Sequence, residues 1–166
     1  RDWLADLAAE QRAAKGMVSF VVPDVLKYVE KPSYFPAPES TAIWSDAAVW
    51  VPWALWLAYG DLDVLSDQFD SMTAHVRRVQ SLLSPSGLWD TGFQFGDWLD
   101  PTAPPDDPIS SKADNGVVAT ACLYRDFQIL IETADLLGRS GDAAHFAELA
   151  EHTKIAFNNH YVNDDG

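Results

Sequence analysis

The chain holds a single cysteine, Cys122, among 166 residues. A disulfide within the chain is therefore excluded, and with it the small disulfide-stapled class of fold. In the apolar run Ala121-Cys122-Leu123-Tyr124, the thiol reads as buried and inert rather than as a nucleophile. A lack of disulfides suits a cytoplasmic protein and a secreted bacterial one alike, so the compartment stays open.

Positive charge is the second scarcity. The chain has 11 basic residues against 25 acidic ones, a formal net charge of −14. Such a surface repels phosphate backbones and anionic lipid, which argues against nucleic acid and membranes as partners. No apolar run approaches the ~18 residues of a membrane span; the most apolar stretch ends at Gly60-Asp61. Arg1-Asp2-Trp3 opens in an amphipathic pattern with neither a starting Met nor a signal-peptide layout, as expected of a piece of something longer. Period-two alternation of β-branched residues is missing, which leaves a β-sheet little support. Gly-rich phosphate loops, a nucleophile elbow and Cys pairs are missing as well.

Tryptophan is abundant: there are 7, several beside aspartate or glycine. Aromatic faces pack on sugar C–H groups while carboxylates accept from hydroxyls, so Trp/Asp clusters suit carbohydrate. The rest is helical periodicity. Leu62, Leu65, Phe69, Met72, Val76 and Val79 follow three- and four-residue steps along one face. Trp3, Leu4, Leu7 and Ala8 repeat the device at the start. A last helix is expected from near Asp142, as N-cap, with Phe146, Leu149, Thr153 and Phe157 inward.

Two segments, 46–59 and 117–137, are apolar nearly all round, which predicts helices buried on every side. Each is followed by a Gly- and Asp-containing turn and then a one-faced helix. Gly60 with Phe69, and Gly138 with Phe146, mark the alternation at a period of roughly 77 residues. The expected architecture is all-α: inner and outer helices in hairpins, forming one domain too short to be two. The segments before the inner helices, 14–45 and 84–112, are Pro- and Gly-rich loops of about 30 residues, a length usually functional. Tyr28, Tyr34, Phe35, Trp44, Trp89, Phe93, Phe95 and Trp98 argue that they are ordered.

Two constellations carry the candidate chemistry: Trp44-Ser45-Asp46-Ala47-Ala48 and Phe95-Gly96-Asp97-Trp98-Leu99-Asp100-Pro101. Each sets an Asp within two residues of a Trp at the entrance of an inner helix. Trp44, Asp46, Asp97 and Trp98 are the candidate sugar-binding residues. Plainer readings stand beside that one: Asp46 as an N-cap, Asp97 as an Asx-turn residue, and both indoles as core anchors. Asp61, Asp63 and Asp142 read as caps and turns. Asp90, Asp100, Asp106 and Asp107 read as solvated charges, Asp90 being the first candidate exception because it follows Trp89. His145, Glu148 and His152 share a polar helical face, which reads as solvated rather than as a metal site. Asp164-Asp165-Gly166 is a turn signal.

With Val51-Pro52-Trp53-Ala54-Leu55-Trp56, Tyr59-Gly60-Asp61 and Ala134-Asp135-Leu136-Leu137-Gly138, these elements resemble the (α/α)6-barrel domain of family 78 α-L-rhamnosidases. The likeness runs nearly end to end, with one departure: Ser45 stands where a glycine is usual, which should matter little if only backbone room is needed. The resemblance implies that residues 1–166 are a fragment of one (α/α)6-barrel catalytic domain, a partial toroid with about two of six hairpins. It implies inverting hydrolysis of terminal α-L-rhamnosyl linkages by an acid–base carboxylate pair, with no metal or organic cofactor. It also implies that the general acid precedes Trp3 and the general base follows Tyr161. Trp44 and Trp98 would then wall the rhamnose subsite, with Asp46 and Asp97 on the same rim. The rivals are another α/α-barrel glycosidase, glucoamylase- or trehalase-like, and a helical-repeat scaffold without chemistry. A piece of a toroid leaves the flanks of 46–59 and 117–137 uncovered, with Trp50, Trp53, Trp56, Val118 and Tyr124 as candidates, so the fragment is expected to self-associate.

Overall fold

The structure, a computed structural model, describes residues 1–30, 36–98, 100–107 and 112–162. Pro32, Tyr34, Phe35, Leu99, Pro108 and the turn signal Asp164-Asp165-Gly166 lie outside the described residues. Within them the chain is all-α without strands: α1 (Asp2–Ala13), a short 3-10 turn (Val25–Tyr28), α2 (Ala47–Tyr59), α3 (Leu62–Gln80), α4 (Asn115–Leu136) and α5 (Ser140–Tyr161). α2 pairs with α3 and α4 with α5 as two hairpins, and α2 and α4 touch each other between them. This is the alternation of inner and outer helices expected of a partial α/α toroid.

The hairpin turns are built from local chemistry. Gly60 sits at φ +65°, a left-handed position open to glycine at little cost, and its N–H closes α2 on the Trp56 carbonyl at 2.8 Å. Asp61 then caps α3 by accepting from the Asp63 N–H. The second turn departs from expectation by two residues. α5 starts at Ser140, and Asp142 lies in its first turn, accepting from Arg139 Nε at 2.7 Å. The left-handed Gly138 reverses the chain after α4, and the N-cap position is taken by Arg139 without a side-chain cap bond. α4 likewise starts earlier than the apolar run, at Asn115, because the Asp114 carboxylate accepts from the Gly116 and Val117 N–H groups.

The α3 stripe forms the core as its periodicity predicts. Leu65, Phe69, Met72, Val76 and Val79 are sealed, whereas Leu62, at the helix start, is exposed. α2 differs from the expectation of burial on every side: Ala48, Val49 and Pro52 are buried, while Leu57 and Tyr59 stand 67% and 78% exposed. No described element covers that flank. Trp53, Trp56 and Leu57 of α2 line an open groove there with Leu136 of α4. Trp50 is a different case from these indoles. Arg125 lies over its ring at 4.8 Å, and its Nε1–H is bonded to Asp126.

Candidate functional site

The two long loops converge at the N-terminal ends of α2 and α4. Gln94 Oε1 accepts from the Ala42 N–H at 2.9 Å, tying one loop to the other. Within the first loop, Ser45 is fully buried; its hydroxyl accepts from the Thr41 N–H at 2.8 Å and donates to the Val18 carbonyl at 3.1 Å. A serine here would matter little if only backbone room were needed, but its hydroxyl also ties the Thr41–Ser45 turn to the chain at Val18. Ser45→Ala strands the Thr41 N–H and Val18 carbonyl away from water. The expected loss is about 1–3 kcal/mol of stability, read from the denaturation midpoint; a neutral outcome would show that the loop relaxes to let water in.

Phe95 is the hub of an aromatic cluster. It stacks on Trp44 (centroids 4.3 Å apart, planes at 25°), packs against Trp98 at 5.1 Å, and meets Phe20 and Phe93 edge-on. Trp44 and Trp98 are 5.5 Å apart. With Ile43, Gly96, Asp97 and Asp100 they line an open cleft of about 450 Å³. Asp97 Oδ2 accepts from the Lys112 and Ala113 N–H groups at 3.1 and 3.3 Å, pinning the far end of its own loop. Its other oxygen, Oδ1, is buried without a hydrogen-bond partner. Asp100, read as a solvated charge, lines the cleft instead, held by the Thr102 N–H and hydroxyl. Those hydrogen bonds, the Thr102 hydroxyl's first, hold its carboxyl below the usual carboxylate range. Asp90 is exposed and has no place in this cleft.

The structure thus brings Trp44, Asp97 and Trp98 together and sets Asp46 apart. Asp46 is buried with no exposed side-chain surface, so the expectation of a place on the rim beside Asp97 is corrected. Its carboxylate does not cap α2. Oδ2 turns back to accept from the Ile43 N–H at 2.6 Å, and Oδ1 lies 3.0 Å from His75 Nε2. A polar partner buried in the core draws the carboxylate inward.

That partner opens onto a network that sequence reasoning missed. His75, on α3, also lies 3.2 Å from Asp126 Oδ2 on α4, and Trp50 Nε1 donates to Asp126 Oδ1 at 2.7 Å. All three ionisable side chains are fully buried. Burial alone would lower the imidazole pKa; hydrogen bonds to Asp126 and Asp46, and their negative charge, outweigh it and raise His75 to about 9. Burial, then the Asp46 charge, pushes Asp126 well above the usual carboxylate range. The neighbouring Cys122 thiol is pushed up to about 12, first by burial and then by the charges of Asp46 and Asp126, which leaves it inert at neutral pH. Among the described residues these three are the group whose ligand-type atoms lie close enough for an ion. Yet His75 Nδ1 has no partner, whereas a metal-bound histidine donates that second N–H to an acceptor. The arrangement is that of an imidazole hydrogen-bonded to Asp46 with the Asp126 carboxyl close beside the same nitrogen. His145, Glu148 and His152 are all exposed on α5.

Ile43 is the other unusual residue of the site. It lies at φ +71°, a region that costs a β-branched residue on the order of 1–3 kcal/mol and persists only when its surroundings hold it.

Paired α/α hairpins with an aromatic and acidic cleft at the inner-helix entrances fit a partial α/α toroid. The chain belongs to the bacterial α-L-rhamnosidase six-hairpin glycosidase domain family, whose model matches residues 1–166. It is 32% identical over 164 residues to an α-L-rhamnosidase of Streptomyces avermitilis, and 25% identical over 155 residues to one of Formosa agariphila. These matches cover 99% and 93% of the chain but only 14% and 15% of the relatives. Among solved structures, native α-L-rhamnosidase from Aspergillus terreus matches 98% of the chain at TM-score 0.85 and 28% identity, over 18% of its own length. The S. avermitilis enzyme complexed with L-rhamnose matches 99% at TM-score 0.77 and 31% identity, again over 14% of that protein.

Proposed function

We propose that this chain is part of an inverting α-L-rhamnosidase and that its two long loops supply one wall of the sugar subsite. The observation that carries the reading is the cleft itself. Two indoles, Trp44 and Trp98, line it together with Asp97 and Asp100, in a chain whose relatives bear that name. An indole face covers the C–H groups of a sugar ring, and the carboxylate accepts from a hydroxyl. In the single-displacement reaction, one carboxylic acid protonates the leaving oxygen while a carboxylate activates water on the opposite face, the two about 6.5–9.5 Å apart. Asp97 is committed to backbone N–H groups and Asp46 to the core, so this piece binds sugar, and the acid and base come from elsewhere in the longer protein. No metal or organic cofactor enters the reaction.

The test is kinetic, on the full-length protein. Hydrolysis of an aryl α-L-rhamnoside with little turnover of an aryl glucoside separates this reading from a glucoamylase- or trehalase-like one. Trp98, 39% exposed, can be truncated with little damage to the core. Trp98→Ala is expected to cost about 1–3 kcal/mol in kcat/KM, on the scale of aromatic stacking against flat ligands. Wild-type kinetics in a folded variant would make Trp98 peripheral to the sugar.

A further inference from the structure

We propose that Asp46, His75 and Asp126 are positioning residues for the sugar cleft: a buried strut that holds Ile43, and through it Trp44, in a binding orientation. The proposal rests on the reading of the cleft as a sugar subsite. Its evidence is a continuous path of contacts. Asp126 is fixed from α2 by the Trp50 indole N–H (2.7 Å) and faces His75 of α3 at 3.2 Å. His75 faces Asp46 at 3.0 Å, and Asp46 holds the Ile43 N–H at 2.6 Å. The path ends on a backbone that needs holding, since a β-branched residue at φ +71° does not stay there unaided. Ile43 and Trp44 are neighbours in the chain and both line the cleft.

The direction of the Asp46 side chain is the telling detail. A carboxylate at the first turn of a helix ordinarily accepts from N–H groups of that helix. Asp46 makes no such bond and spends its second oxygen on the strained residue before the indole. A network serving only the core would have no reason to end there. Three helices thereby brace one loop residue, so the wall of the cleft is set by the packing of α2, α3 and α4 rather than by the loop alone.

The experiment is a double-mutant cycle in the full-length protein, read as KM for an aryl α-L-rhamnoside. His75→Leu should raise KM roughly tenfold, the equivalent of about 1.4 kcal/mol, with kcat changed much less. His75→Gln, whose amide has two N–H donors for the two carboxyl groups, should stay within about threefold of wild type. After Trp44→Ala has removed the wall, His75→Leu should add no more than about twofold, because coupled residues do not act additively. Wild-type KM in a folded His75→Leu, alongside a raised KM for Trp44→Ala, would overturn the strut alone, as would fully multiplicative effects. An unchanged KM for Trp44→Ala would instead strike at the sugar-binding reading and remove the strut's purpose with it. If His75→Leu does not fold, Ile43→Gly supplies the second route, since glycine holds the left-handed turn unaided. The Ile43→Gly/His75→Leu pair should then fold with the KM of Ile43→Gly. A pair that stays unfolded would show that the network serves the core as such, and the proposal would fall.

Discussion

Raising the pH from 6.5 to 9 is expected to remove folding stability on the order of 3 kcal/mol through the His75 network. The folded-state pKa is about 9 against an ordinary value of 6.5, and each pKa unit corresponds to about 1.4 kcal/mol. A group that holds its proton more tightly when folded stabilises fully below its unfolded pKa. That contribution drains away as the pH climbs through the folded pKa. Asp126, also raised by folding, acts with the same sign. Cys122 ionises only near 12 and stays silent in this window. For a chain of this length the loss corresponds to roughly 6–12 °C in melting temperature. Wild type and His75→Gln should be compared at both pH values and one protein concentration, because association shifts apparent stability. The slope belongs to His75 only if the Gln variant lacks it; equal slopes in both proteins would mean that the imidazole titrates near its ordinary value.

The second large effect concerns the isolated 166-residue chain, which is expected to self-associate at micromolar concentration. Fully burying a large apolar side chain yields about 1.5–3 kcal/mol. Trp53, Trp56, Leu57 and Leu136 share an uncovered groove, half-buried to exposed, so covering them offers roughly 3–6 kcal/mol. Tyr124 and Phe157 line a second hollow, of about 280 Å³, between α4 and α5. Against this stands the net charge of −14, whose repulsion is screened beyond about 8 Å at physiological salt. Burial outweighs that repulsion. Sedimentation should show species heavier than 18.3 kDa that revert toward monomer on Leu57→Glu; a clean monomer that binds no hydrophobic dye would end the idea.

What was legible in the sequence follows from what is local. The α3 stripe from Leu65 to Val79 and the Gly60 and Gly138 turns can be read from residues close together in the chain. So can the pairing of Trp44 with Trp98, because each announces itself within two residues of an aspartate in a long loop. The Asp46 network cannot be read in that way. A carboxylate at a helix start can face water or core, and the choice was made by His75, 29 positions away. Two signals for the network did exist. Asp126 falls in a helix whose apolar run is broken by only a few charged or amide residues, and His75 falls three residues after Met72 on the buried stripe. A buried acid and a buried base each require a partner, and no other described groups of opposite character are sealed at these depths. The left-handed backbone at Ile43 has no sequence signature, since isoleucine is among the least suited residues to it.

The position of Phe95 has a consequence for how such a cleft changes over generations. The two walls come from loops about fifty residues apart, yet both indoles rest on this one ring. A bulkier or smaller residue at 95 moves both walls at once, so single replacements there carry a penalty that paired ones at 44 or 98 can relieve. In descendants of this sequence the aromatic positions 44, 95 and 98 would therefore change together or not at all.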